Sequence, residues 1–170
     1  MANIKHRVFI VDDDTAHNDM LRKFLLEKFN FEIMSFNNGD DALRNMTLQP
    51  TFVVLDYYLN KMNAGSSPGL DVLVQIRQSH PETFVILMSD QDKIEVAADT
   101  AKYGAFDYVV KYPSGFLRME STFRHLLRFI KDRDTIKAYR MSTLILAGIL
   151  ILIAIAAYFM MQGGNAVAGG

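Results

Sequence analysis

Five short apolar runs alternate with segments of helical period, and no other feature restricts the fold of this chain as much. The runs are Arg7 to Val11, Glu32 to Phe36, Phe52 to Leu55, Phe84 to Met88 and Phe106 to Val110. Three of them are nearly continuous apolar stretches, the pattern of strands covered on both faces of a parallel sheet. Helix candidates lie between and after them, near residues 15 to 29, 39 to 47, 69 to 79, 92 to 103 and 115 to 131. Parallel neighbours need a crossover, which a helix supplies, so the expected fold class is α/β: a five-stranded doubly wound parallel sheet. The start signals agree. Asn38 can cap the second helix with Asp41 three residues later, Ser67 before Pro68 suits the third, and Ser114 suits the fifth. In the last of these helices Phe116, Met119, Phe123, Leu126 and Ile130 form one apolar stripe, read as a face packed on the sheet.

Open parallel sheets bind ligands beyond the carboxyl ends of their strands. In this chain those ends are acidic, hydroxylic and basic: Asp12, Asp13 and Asp14 follow the first strand, Asp56 the third, Ser89 the fourth and Lys111 the fifth. Carboxylates gathered on one rim repel one another unless a cation neutralises them, and an oxygen-only donor set suits Mg²⁺ better than zinc. A lysine among them supplies a fixed positive charge for an anionic group. The set describes a carboxylate nucleophile with a metal and an ammonium aimed at phosphoryl oxygens. Taken singly, an Asp after a strand often caps a helix, a Ser is usually a turn residue and Tyr108 could be core. Their joint occurrence is what points to chemistry.

The text VFIVDDD, NNGDDAL, FVVLD, GLDVLVQIRQSHPETFVILMS and AADTAKYGAFDYVVK, in this order and spacing, closely resembles the receiver domains of two-component response regulators over residues 5 to 130. The resemblance implies that Asp56 is the phosphoacceptor. It also implies that Asp13 and Asp56 ligate Mg²⁺ directly, with Asp12 acting through water and the Tyr58 carbonyl as a further ligand. Ser89 would bond the phosphoryl group, Lys111 would pair with it, and Tyr108 would be the aromatic switch that turns inward on activation. Implied partners are a sensor histidine kinase or phosphotransfer protein and an unidentified output protein. The face of the fourth helix, fifth strand and fifth helix is where the family makes dimer or partner contacts.

Three departures from the family pattern bear on this reading. Lys111 is followed by Tyr112 and only then by Pro113, whereas the family usually places a cis proline directly after the lysine. A non-proline cis bond costs about 3 to 4 kcal/mol, so a displaced lysine is one expected outcome. The stretch YYLNKMNAGSSP between Asp56 and Gly69 is longer than the usual loop and lacks its Met-Pro pair. Asp90 stands where the family favours a small residue. It either adds negative charge near the phosphoryl group or caps the fourth helix, and the cap is the expectation.

The C-terminal part has a different solvent. No charged side chain lies beyond Arg140, and Met141 to Met161 is a run of 21 uncharged residues. A helix of that length is about 31 Å long, matching a hydrocarbon core of roughly 30 Å. Arg124, Arg128, Lys131, Arg133, Lys137 and Arg140 all precede the run, and the tail is uncharged, which places the N-terminal domain on the cytoplasmic side. Ala147, Gly148 and Ala154 form no clean small-xxx-small pair, so pairing through this helix has little support. The expected division is a receiver domain over 1–131, a juxtamembrane linker over 132–140, a single transmembrane helix over 141–161 and a short tail over 162–170. The net charge of -1 gives no basic face for phosphate backbones, so nucleic acid is disfavoured. The absence of cysteine excludes a thiolate metal site and fits a reducing compartment.

These readings converge on a stand-alone receiver anchored in a bacterial cytoplasmic membrane. It would be phosphorylated on Asp56 with Mg²⁺ and would signal through protein contacts, with no separate output domain and no external substrate. The alternative is a receiver-fold adaptor at the membrane that does not switch. A phosphatase of the haloacid dehalogenase type fares worst, because its general-acid Asp would fall at Tyr58.

Overall fold

A computed structural model of the chain describes residues 6–59, 68–90, 93–112 and 114–167. By its internal contacts the chain divides into two units, Met1–Phe123 and Arg124–Gly170.

In the first unit the apolar runs are the strands: β1 (Arg7–Val11), β2 (Glu32–Phe36), β3 (Phe52–Asp56), β4 (Phe84–Ser89) and β5 (Asp107–Val110). The helices are α1 (Thr15–Lys28), α2 (Gly39–Arg44), α3 (Gly69–Ser79), α4 (Ile94–Tyr103) and α5, which begins at Gly115. All strand pairs are parallel, in the order β2-β1-β3-β4-β5. From β1 the chain crosses to one side for β2 and to the other for β3, so the strand order reverses between β1 and β3. The carboxyl ends of those two strands therefore flank the crevice where such sheets bind ligands.

The continuous runs are continuous because both faces are covered. Val8, Phe9, Ile10 and Val11 of β1 and Phe52, Val53, Val54 and Leu55 of β3 are all buried, at roughly 1.5 to 3 kcal/mol for each large side chain. β2 is an edge strand, and its burial is partial at Ile33, Met34 and Phe36. Within this unit Met119 and Phe123 of the α5 stripe are fully buried.

The Asn38 cap forms as expected: its side chain accepts from the Asp41 N–H at 2.8 Å. Ser67 and Pro113 lie outside the described residues, and at the start of α3 Pro68 occupies the cap position with no side-chain bond. The second helix is shorter than the periodicity implies, ending at Arg44 and passing into a 3-10 turn at Met46–Leu48, which buries Met46. The expected Asp90 cap is corrected, because Lys93 holds the cap position of α4 and makes no side-chain cap bond.

Gly69 needs its missing side chain. A Cβ there would lie 2.0 Å from the Asp56 carbonyl oxygen and 2.9 Å from that of Tyr57. The start of α3 thus closes against the end of β3 only because nothing projects from its first residue.

In the second unit the residues continue as helix, α5 running from Gly115 to Val167. Residues 141–161 fall wholly inside it, as does the described part of the expected tail; residues 168–170 lie outside the described set. It is the only helix among the described residues long and apolar enough to cross a membrane, its most apolar window having a mean hydropathy of 2.1 with none of that window buried. Leu144, Ile145, Leu146, Leu150, Ile151 and Leu152 all project outward, at 58% exposure or more.

Candidate functional site

The rim formed by the ends of β1, β3, β4 and β5 brings together Asp12, Asp13, Asp56 and Lys111 of the residues singled out from the sequence. One carboxylate oxygen from each of Asp12, Asp13 and Asp56 lies within 4.8 Å of the others. Lys111 is not displaced: its Nζ stands 2.8 Å from Asp12 Oδ2 and 3.1 Å from Asp56 Oδ2, with the side chain 4% exposed. The departure at Tyr112 therefore leaves the lysine head where the resemblance puts it. Asp90 Oδ1 is 3.8 Å from the same ammonium and half-exposed, so its charge bears on the site, as the less favoured reading had it.

Local folding explains the precision. Asp14 caps α1, its Oδ1 accepting from the N–H groups of Ala16 and His17, which turns the chain so that Asp12 and Asp13 face the crevice. The Asp14 N–H in turn donates to Asp12 Oδ1 at 3.0 Å. The Tyr58 N–H donates to Asp56 Oδ1 at 3.2 Å, folding the backbone after β3 back over the carboxylate. Ser89 is fully buried and ends β4 one residue beyond Met88, the register partner of Asp56. Its carbonyl accepts from the Lys111 N–H at 2.9 Å, which fixes the start of the lysine's reach. Tyr108 pairs in register with Leu87 and is half-buried against the core on that face of the sheet.

Charge and burial oppose each other at each ionisable member. Burial works against the charge on Asp12, but hydrogen bonds from His17 and Lys111, with the lysine's charge, outweigh it and hold the carboxyl below its ordinary value of 3.8. At Asp56 burial prevails: the carboxyl is pushed up, the Lys111 charge opposing and the Asp12 charge adding to the rise. Burial also disfavours the Lys111 ammonium, yet its bond to Asp12 and the charges of Asp56 and Asp12 raise its pKa above 10.5. Asp12, Asp13 and Asp56, with Asp90 at the rim, outnumber the one ammonium and leave the site with net negative charge for a cation to balance. An all-oxygen donor set of this kind fits Mg²⁺.

A match to the family model for the response regulator receiver domain covers residues 8–116. This chain belongs to that family. Receiver domains bind Mg²⁺ through acidic residues and interact with histidine kinases or phosphotransfer proteins of two-component systems. Among curated relatives, the receiver is 28% identical over 127 residues to the transcriptional regulatory protein ZraR of Escherichia coli, covering 75% of this chain and 27% of that one. It is 34% identical over 110 residues to the regulatory protein AtoC of the same organism, covering 62% and 22%. The chain thus spans about a quarter of the length of the curated relatives it matches. Among solved structures, the response regulator DrrB of Thermotoga maritima superposes with a TM-score of 0.64 at 25% identity, covering 74% of this chain and 54% of that one.

Sequence reasoning missed three parts of this receiver's site. His17 is buried with its Nδ1 2.7 Å from Asp12 Oδ2. Asn18 Nδ2 donates to the carbonyls of Asp12 and Phe36, tying the ends of β1 and β2 together. The Tyr57 hydroxyl donates to Asp99 Oδ2 at 2.6 Å, linking the residue after Asp56 to α4. The signal available for the first two was their place in the opening turn of α1, beside the capping residue Asp14.

Proposed function

We propose that this chain is a membrane-anchored receiver that takes a phosphoryl group onto Asp56 and passes the change on through protein contacts. The observation that carries the reading is the buried Lys111 ammonium held between Asp12 and Asp56 inside a cluster of three carboxylates. In the transfer, an Asp56 oxygen forms the new bond to phosphorus while the bond to the donor breaks and the donor leaves with the electron pair. Asp13 and Asp56 would hold Mg²⁺ directly, Asp12 through water, with the Tyr58 carbonyl as a further ligand. The ion would supply charge neutralisation at the phosphoryl oxygens.

The new group carries about -1.5 to -2 charge and three acceptor oxygens. Ser89 and Lys111 answer it by moving toward it, and their loops lead to α4, β5 and α5. Tyr108 on β5 would follow by turning inward, altering the face that meets an output protein or a second copy. A sensor histidine kinase or phosphotransfer protein would supply the phosphoryl group. Titrating the full-length chain with beryllofluoride and Mg²⁺ should shift the backbone amide resonances of residues 89 to 130 together, with saturation. A flat titration would favour the alternative, a receiver-fold adaptor that does not switch.

The anchor would be the helical span 141–161, inserted in a bacterial cytoplasmic membrane with the receiver in the cytoplasm. Leu and Ile project on every side of it, as lipid requires, and the six preceding basic residues set the orientation. Membranes washed at alkaline pH should retain the full-length chain, whereas a chain ending after residue 131 should leave with the wash. Release of both would remove the anchor from the reading.

A further inference from the structure

We propose that His17 is a positioning residue for the cation and phosphoryl site, acting from α1 through the Asp12 carboxylate. This assignment rests on the reading of Asp56 as a Mg²⁺-dependent phosphoacceptor.

Asp12 Oδ2 is shared by two side chains, Lys111 Nζ at 2.8 Å and His17 Nδ1 at 2.7 Å, while Oδ1 accepts from the Asp14 N–H at 3.0 Å. An ionised carboxylate offers acceptors only, so Nδ1 carries the hydrogen of the His17 bond. The ring is 1% exposed, and near it stand the rings of Tyr112 and Phe116, with centroids 6.1 and 5.9 Å away. Its other nitrogen, Nε2, is buried with no hydrogen-bond partner among the described residues. An unpaired buried nitrogen is a cost that a leucine or methionine at this place would not carry, so packing alone does not account for a histidine. What the histidine adds is one directed bond to the oxygen that Lys111 also holds.

The consequence appears when Lys111 turns to the phosphoryl group. Asp12 Oδ2 then loses one of its two side-chain donors, and without His17 the carboxylate would be held only by the Asp14 N–H on Oδ1, one bond that leaves its last torsion loosely set. With Asp14 on one oxygen and His17 on the other, Asp12 keeps its plane, and the face it offers a hydrated cation stays fixed. Such outer donors to carboxylates at metal sites typically govern affinity by 10 to 100-fold.

Full-length wild type, His17→Leu and His17→Asn in detergent micelles, titrated with Mg²⁺ and followed by amide resonances, test this directly. The Asn side-chain N–H can occupy the place of Nδ1–H and the Leu side chain cannot. His17→Leu should raise the Mg²⁺ Kd by about 10 to 100-fold, and His17→Asn should restore wild-type affinity. Equal affinity in wild type and His17→Leu overturns the assignment and leaves the Mg²⁺ reading intact, as does an equal loss in both variants, which would mark a packing role. No saturable Mg²⁺ binding by wild type overturns that reading and the assignment with it. Should His17→Leu fail to fold, ring-nitrogen spectra of wild type decide: a protonated Nδ1 whose resonance moves with Mg²⁺ is expected. A bare or unresponsive Nδ1 overturns the proposal.

Discussion

Lys111→Met is expected to lower the unfolding free energy of the receiver by about 3 to 5 kcal/mol at neutral pH, because it leaves buried carboxylates without their cation. Asp12 and Asp56 are 2% and 3% exposed and share this one ammonium. The deficit should depend on pH in a definite direction. In the wild type, the raised Lys111 pKa gives stability that is present below 10.5 and lost as pH climbs through the raised value. The lowered Asp12 pKa gives stability present above 3.8 and lost as pH falls through the lowered value. Asp56 acts the other way: its raised pKa means that its ionised form weakens the fold, a burden relieved as pH falls. With the ammonium gone, burial acts on both carboxyls without its nearest opposing charge, so each binds protons more readily than in the wild type and the deficit of Lys111→Met should shrink toward acid pH. Mg²⁺ should restore part of it by binding the native state alone. Chemical denaturation of both proteins across pH, with and without Mg²⁺, measures all of this. A deficit unchanged from neutral to acid pH would show that the lysine is held by packing and not by these charges.

Asp56→Ala should abolish hydroxylamine-sensitive acyl-phosphate labelling by a small phosphodonor such as acetyl phosphate. Its buried neighbour Asp12 is not free to substitute. Asp12 has both oxygens engaged, by Asp14 on one and by Lys111 and His17 on the other. The variant should still fold, since it deletes the carboxyl that burial disfavours most plainly. Labelling that survives undiminished in a folded Asp56→Ala protein would place the acceptor elsewhere.

How far the sequence discloses this molecule follows from which forces are local. The strands β1 and β2 have the bounds that their apolar runs imply, and β3 and β4 extend one residue further to include Asp56 and Ser89. That extension comes from pairing: Asp56 stands in register with Met88, and Ser89 with Val110, and no side-chain pattern encodes it. The carboxylates and the lysine were legible because ligand groups in such sheets must stand at strand ends. His17 was not, because its role depends on α1 folding back over the end of β1, a tertiary approach that leaves no periodic trace. The Tyr57 bond to Asp99 crosses 42 positions and is equally silent in the sequence. Asp90 failed as a cap because the helix begins at Ile94, leaving the carboxylate nearer to Lys111.

The bare α-carbon of Gly69, pressed against the carbonyls of Asp56 and Tyr57, governs where movement can go. Backbone in such contact has no slack, so the α3 side of the acceptor behaves as an anvil. On the proposed function, a displacement set off at Asp56 would be turned toward the opposite wall, where Lys111 and the Tyr57 link to Asp99 lead into α4 and β5. One hydrogen in place of a methyl group would thereby give the proposed signal its direction.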